Sequence, residues 1–155
     1  MAITLPATGG CQCGSVTYTL TAEPLFTYAC HCHTCQHRTG SACSVALVVP
    51  LDGLDIKGDM SAWERISDKG EVNTRYSCPD CSNVIHGISA STPTVTKLQS
   101  GTLDDGSAVA PDVHMWTQSK QGWISINAGV PQFATQPDDP MELLHAAMEY
   151  RAGQL

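Results

Sequence analysis

Cys11-Gln12-Cys13-Gly14-Ser15-Val16-Thr17-Tyr18-Thr19-Leu20-Thr21 sets two cysteines one residue apart against a run of alternating β-branched, aromatic and aliphatic residues. Ser15 to Thr21 predicts a strand, and the cysteines before it predict a pair of metal ligands. Further along, Cys78-Pro79-Asp80-Cys81 is a metal knuckle. A close pair of thiolates preorganises two of the four ligands that tetrahedral Zn²⁺ prefers, so neither pair closes a site alone. Together Cys11, Cys13, Cys78 and Cys81 predict a four-thiolate structural zinc site stapling the N-terminal strand to the middle of the chain. In small zinc modules the binding free energy of such a site is folding free energy, about 10 kcal/mol.

Cys30-His31-Cys32-His33-Thr34-Cys35 differs, with three thiolates in six residues and no fourth cysteine close by. Three protein ligands and one free position are the pattern of a catalytic zinc. The alternative is a closed site in which His31, His33, His37 or Cys43 takes the fourth place. Cys43, at the head of the apolar stretch Ser44 to Val49, reads first as a small buried hydrophobe.

The remaining composition narrows the setting. At 155 residues and 42% hydrophobic, the chain suits one domain. Only 15% of residues are charged, while 13 glycines and 9 prolines favour a β-rich fold with many turns. The net charge of −7 argues against a nucleic-acid backbone or an anionic membrane as partner. Two loaded thiolate sites would carry it to roughly −10. Pro6 follows Met1 to Leu5 at once, leaving no secretory apolar segment, and Ala42 to Val49 is too short to span a bilayer. A cytoplasmic setting follows, where eight cysteines mean metal more often than disulfides.

Ser44 to Val49, Leu54 to Lys57, Ala62 to Ile66, Val72 to Tyr76, Thr94 to Gln99, Val113 to Trp116 and Trp123 to Ile126 predict further strands, separated by glycine-containing turns. One helix is predicted at the C-terminus. Asp139 is its N-cap, Pro140 its first residue and Glu142 its capping-box partner, and Met141, Leu144, Ala147 and Met148 follow at helical spacing. Gly129 to Asp139, with Pro131 and Pro137, reads as a linker. Packing of the helix on its own domain is the simpler arrangement, and a neighbouring subunit, hence a homodimer, stays open.

Several of these stretches are motifs of a known family. Gly9-Gly10-Cys11-Gln12-Cys13-Gly14-Ser15-Val16-Thr17-Tyr18, Cys30 to Cys35 with Gly40-Ser41-Ala42, Arg75-Tyr76-Ser77-Cys78-Pro79-Asp80-Cys81 and Gly101-Thr102-Leu103-Asp104-Asp105 resemble, in order, the four signatures of the glutathione-dependent formaldehyde-activating enzymes, which share a domain with a centromere protein. Pro111, His114, Trp116 and Trp123 fall at the expected places. The resemblance covers about residues 9 to 124. It implies a mainly β, β-tent fold (Mss4-like) of antiparallel sheets around zinc, over residues 1–130, with residues 131–155 as linker and helix. It also implies a structural zinc on Cys11, Cys13, Cys78 and Cys81, and a catalytic zinc on Cys30, Cys32 and Cys35. One departure is Ser82-Asn83 where the family has glycine after the last knuckle cysteine. Of the two, Asn83 takes a left-handed backbone more readily.

The activity implied is that of a carbon–sulfur lyase. Glutathione, the co-substrate, adds as thiolate to the carbonyl carbon of formaldehyde, and protonation gives S-hydroxymethylglutathione. His31, His33 and His114 are the candidate proton donors. Asp104 and Asp105 read first as turn residues, and Trp116 and Trp123 first as core. Two other classes compete: a non-catalytic zinc-stabilised protein-interaction module, and a chromatin-associated protein, against which the acidic balance weighs.

Overall fold

The computed structural model describes residues 3–67 and 70–154. In chain order its elements are β1 (Ala7–Gly10), β2 (Thr17–Leu20), β3 (Phe26–Cys30), α1 (His33–Thr39), β4 (Ser44–Pro50), β5 (Leu54–Lys57), β6 (Ser61–Ile66), β7 (Val72–Ser77), β8 (Val84–Ser89), β9 (Val95–Gln99), β10 (Val113–Met115), β11 (Gln132–Phe133) and α2 (Pro140–Ala152). The fold is mostly β with two helices, the second short and C-terminal. The chain divides into two compact units, residues 1–25 with 47–109, and residues 26–46 with 110–155.

In the first unit β1, β2 and β5 form an antiparallel sheet, as do β6, β7 and β8. The alternation in Ser15 to Thr21 has the predicted result. Val16, Tyr18 and Leu20 are buried and pack with Leu47, Val49, Leu54, Ile85, Leu98 and Leu103, and Cys11 and Cys78 belong to the same core. Gly9 is where the core admits no side chain. A Cβ there would stand 2.2 Å from the Thr102 carbonyl oxygen and 2.4 Å from the Tyr18 hydroxyl, so the backbone itself fills the space.

The second unit is organised on β3, every residue of which is buried. Here β10 pairs in parallel on both sides: its Val113, His114 and Met115 stand opposite Tyr28, Ala29 and Cys30, and β11 pairs in parallel with it. These two pairings are parallel additions to a fold whose two three-stranded sheets are antiparallel. The expected linker contributes β11, and the expected strand Trp123 to Ile126 is irregular, with the Ile124 amide turned back on the Gln121 carbonyl.

Helix α2 packs on β3 and β10 of its own unit. Asp139 caps it by accepting from the Met141 amide at 2.9 Å, with Pro140 in the first position. The buried residues are Leu143 and Ala147, whereas Met141 and Met148 face solvent. The buried stripe thus differs from the expected one: it keeps Ala147, adds Leu143 and leaves both methionines outside. Arg151 donates to Asp112 Oδ2 at 2.7 Å, and the same oxygen accepts from the Thr27 amide at 2.7 Å. No helix among the described residues is long and apolar enough to cross a membrane.

Candidate metal centres

Cys11 and Cys13 stand at the turn before β2, and Cys78 and Cys81 at the turn between β7 and β8, all within the first unit. Their four sulfurs lie within 4.8 Å of one another. Cys11 to Cys13 is 3.4 Å and Cys13 to Cys78 is 3.7 Å. Sulfurs on a tetrahedral zinc, with Zn–S near 2.3 Å, stand about 3.8 Å apart, so the donors fit such an ion. Burial works against a Cys11 thiolate, yet the Val16 backbone and the neighbouring thiols bring it down to about 6. Backbone directed at sulfur is what a thiolate ligand needs.

Local backbone shapes this cluster. The Cys78 amide donates to the Asn83 carbonyl at 3.0 Å and the Ser82 amide to the Cys78 carbonyl at 2.9 Å. Ser82, not Asn83, takes the left-handed conformation, with φ of 59°. Asn83 instead spends its side chain across the cluster, where Oδ1 accepts from the Gln12 amide at 3.1 Å. Asp104, at a bend, accepts from Thr8 Oγ1 at 2.6 Å, and Asp105 accepts from the Ser107 amide at 3.0 Å just before the turn at Ser107.

The second cluster lies where β3 runs into α1. Cys30, Cys32 and Cys35 bring three sulfurs within 4.8 Å, and no fourth histidine, cysteine or carboxylate donor joins them among the described residues. Cys30 and Cys32 stand 3.5 Å apart, again close to the spacing of zinc-bound thiolates. Cys32 is the N-cap of α1, its sulfur accepting from the Cys35 amide at 3.4 Å. Hydrogen bonds from Cys30 and then Cys35 hold the Cys32 thiol well below the usual range, and the bond to Cys32 pushes the Cys30 thiol up.

His31, between Cys30 and Cys32 in the chain, pairs with a second histidine. His31 is fully buried, and its Nε2 lies 2.9 Å from His114 Nδ1, with the rings stacked at 5.2 Å. Burial, then the charge of Lys120, lowers the His31 pKa, with the Ala42 backbone pulling the other way. Burial, then His31, brings His114 down to about 4. Both shifts favour the uncharged imidazole. His33, the third candidate, is exposed at the first position of α1.

The sequence gives no sign of the groups that hold this loop. Gln36 Nε2 donates to the His31 carbonyl at 2.7 Å and to the Ser119 carbonyl at 3.0 Å, while Ser119 Oγ donates to the His31 carbonyl at 3.0 Å. Gln121 Nε2 donates to Gln36 Oε1 at 3.2 Å, and Trp123 Nε1 to Gln121 Oε1 at 2.7 Å. Trp123 is thus no core residue: it is 73% exposed and ends a polar chain that starts at the thiol loop. Trp116 is half-buried in a left-handed conformation, φ 59°, and its carbonyl accepts both the Ser119 amide and hydroxyl. Cys43 is half-buried, and burial raises its thiol.

Comparison with known proteins agrees with this geometry. A solved structure of a Rhodobacter sphaeroides protein shares the fold at a TM-score of 0.51 and 18% identity, covering 81% of this chain and 98% of that one. A protein of Emericella nidulans, provisionally named a glutathione-dependent formaldehyde-activating enzyme, is 37% identical over 79 residues, covering 50% of this chain and 40% of the relative. One of Penicillium rubens with the same provisional name is 34% identical over 73 residues, covering 46% and 38%. The chain thus matches about two fifths of the length of these relatives. The family profile described as glutathione-dependent formaldehyde-activating enzyme matches residues 6–119, a span that includes both cysteine clusters and the histidine pair. The chain belongs to the glutathione-dependent formaldehyde-activating enzyme family.

Proposed function

We propose that the protein is a zinc-dependent enzyme of the carbon–sulfur lyase type, joining the thiol of glutathione to formaldehyde as S-hydroxymethylglutathione or acting on a related small thiol adduct. The observation that carries this is the three-thiol cluster without a fourth donor among the described residues, in a chain of this family. Cys30, Cys32 and Cys35 would hold a catalytic zinc, and Cys11, Cys13, Cys78 and Cys81 a structural one. When bound, the catalytic zinc supplies a position where a thiol loses its proton easily and keeps its nucleophilic electron pair.

The chain's own residues do the rest. In the addition, sulfur forms a bond to the carbonyl carbon, the carbonyl π pair moves to oxygen, and that oxygen takes a proton. A neutral imidazole pair bridged at 2.9 Å can take up the proton the thiol loses at a free ring nitrogen and hand it to that oxygen, so the pair ends as it began. Gln36 and Ser119 fix the His31 carbonyl, and with it the direction of the Cys30 to Cys32 loop. Eight free cysteines suit a reducing, cytoplasmic compartment.

A second reading, a zinc-stabilised protein-interaction module, is favoured by Trp63 and Ile66, 60% and 68% exposed on the edge strand β6. Metal content and thiol titration separate the two. Two zinc ions per chain are expected, and one would remove the open centre. Glutathione should bind the loaded protein and fail to bind Cys32→Ser, while a surface variant such as Lys57→Met binds normally. Loss of binding in both proteins would refute the glutathione reading.

A further inference from the structure

The sheet of β6, β7 and β8 aligns Trp63, Arg75 and Gly87 as successive cross-strand partners, so the three share a face. Arg75 lies flat over Gly87. A Cβ at Gly87 would stand 2.1 Å from Arg75 Nη1, so only glycine admits this path. The next row on the same face pairs Asn73 with Ser89. Lys97 of β9 brings its ammonium onto Ser89 Oγ, and Ser89 Oγ donates to Asn73 Oδ1 at 2.7 Å.

Two cations therefore meet in one place with little to neutralise them. Arg75 Nη1 is buried without a hydrogen-bond partner among the described residues. Glu71 is the carboxylate whose charge reaches Lys97, but its Oε1 is committed to the amide and hydroxyl of Ser91. The chain has 15 acidic residues against 8 basic ones, so carboxylates are not scarce. A cation withdrawn from water without an acceptor costs folding free energy and repels its neighbour. The strain shows in the surrounding groups. Burial, then Arg75, brings Lys97 down to about 8 and buried His86 to about 4. A half-buried cation pair with one engaged carboxylate near it is explained when further counter-charge arrives with a ligand.

We propose that Arg75 and Lys97 form an anion site that takes one carboxylate or phosphate group, with Ser89 and Asn73 as neutral hydrogen-bonding partners and the exposed Trp63 at its margin. The planar guanidinium presents a fork to two oxygens of such a group, and the ammonium adds a point charge. The site belongs wholly to the first unit and uses no metal ligand, so it stands or falls apart from the thiol chemistry.

The test uses the zinc-loaded protein in a buffer free of oxyanions. Inorganic phosphate is titrated in one arm and S-methylglutathione, a carboxylate ligand without a free thiol, in the other, with chloride at matched ionic strength as reference. A saturable rise in melting temperature, absent with chloride, is expected in at least one arm, and the responding arm names phosphate or carboxylate as the group. Arg75→Gln and Lys97→Met should each weaken apparent affinity at least tenfold while melting no lower than the parent without anion, because each relieves an uncompensated charge. Lys57→Met, an exposed lysine outside the cluster, should respond as the parent does. The proposal is overturned by the absence of any saturable response. It is equally overturned by responses surviving in both variants, or by variants that melt lower without anion, which would make the pair structural. Cys32→Ser should keep the anion response whatever it does to glutathione binding.

Discussion

Ser82 shows how much one residue can cost a metal knuckle. Its left-handed backbone, φ 59°, forces Cβ toward the following carbonyl at a cost of about 1–2 kcal/mol. Glycine would remove that strain and return part of it through greater freedom in the unfolded chain. Ser82→Gly is expected to raise the stability of the zinc-loaded protein by about 0.5–1 kcal/mol, read by urea unfolding. An unchanged or lower midpoint would mean that the serine side chain supports the knuckle. The grouping of the thiols was legible, since close cysteine pairs have one strong physical use. Which residue bends after them was not. Asn83 has the better left-handed propensity, but its amide side chain serves Gln12, and a long-range contact of that kind leaves no local trace. His31 was a candidate donor by its position between two cysteines, while its burial against His114 depends on the parallel pairing of β3 with β10.

Among the elements, α2 is docked at both ends by different means, an N-cap in its first turn and the Arg151–Asp112 bond in its last. Asp112 does two jobs. Asp112→Ala would leave the Thr27 amide and the Arg151 guanidinium without their shared acceptor. Its expected cost is about 1.5–3 kcal/mol, whereas Arg151→Met, at a site 40% exposed, should cost about 1 kcal/mol or less. Denaturant melts of both variants and the double variant would check this, and equal costs would show that the ion pair alone holds the helix. Strands set off by turn residues were readable: β5 matches its expected bounds, β4, read from its apolar run, differs by a residue, and so do β6, β7 and β9. Those hidden were of another kind. All of β3 is buried and β8 is buried on both faces around Gly87, so neither shows the alternation that marks a half-wet strand. Helix α1 buries no residue and so has no apolar stripe to find.

The whole molecule should answer to acid in a definite window. His86 and His114 both titrate near 4 in the folded state, each lowered first by burial, against about 6.5 in an unfolded chain. Between these values the unfolded chain binds protons that the folded one refuses, so stability falls as pH drops from about 6.5 toward 4, by up to about 1.4 kcal/mol per pH unit for each histidine. His86→Gln is expected to flatten that slope by up to half, measured on the zinc-loaded protein with free zinc held in excess. A slope unchanged from the parent would mean that His86 is protonated in place. Metal loss acts in the same direction, because ligand thiols must stay deprotonated.

Cys32 joins these scales, because one sulfur both caps α1 and stands among the three thiols that could hold an ion. With no buried side chain of its own, α1 is kept by that cap, by Gly40 at its far end and by the anchorage of Gln36. Local opening free energies follow such sparse support. Deuterium uptake by the amides of Cys35 to Thr39 should therefore track the occupancy of the three-thiol centre, rising under a mild chelator while β2 and β8 remain protected. The helix would then act as a built-in indicator of how much of the protein is charged with metal at any moment.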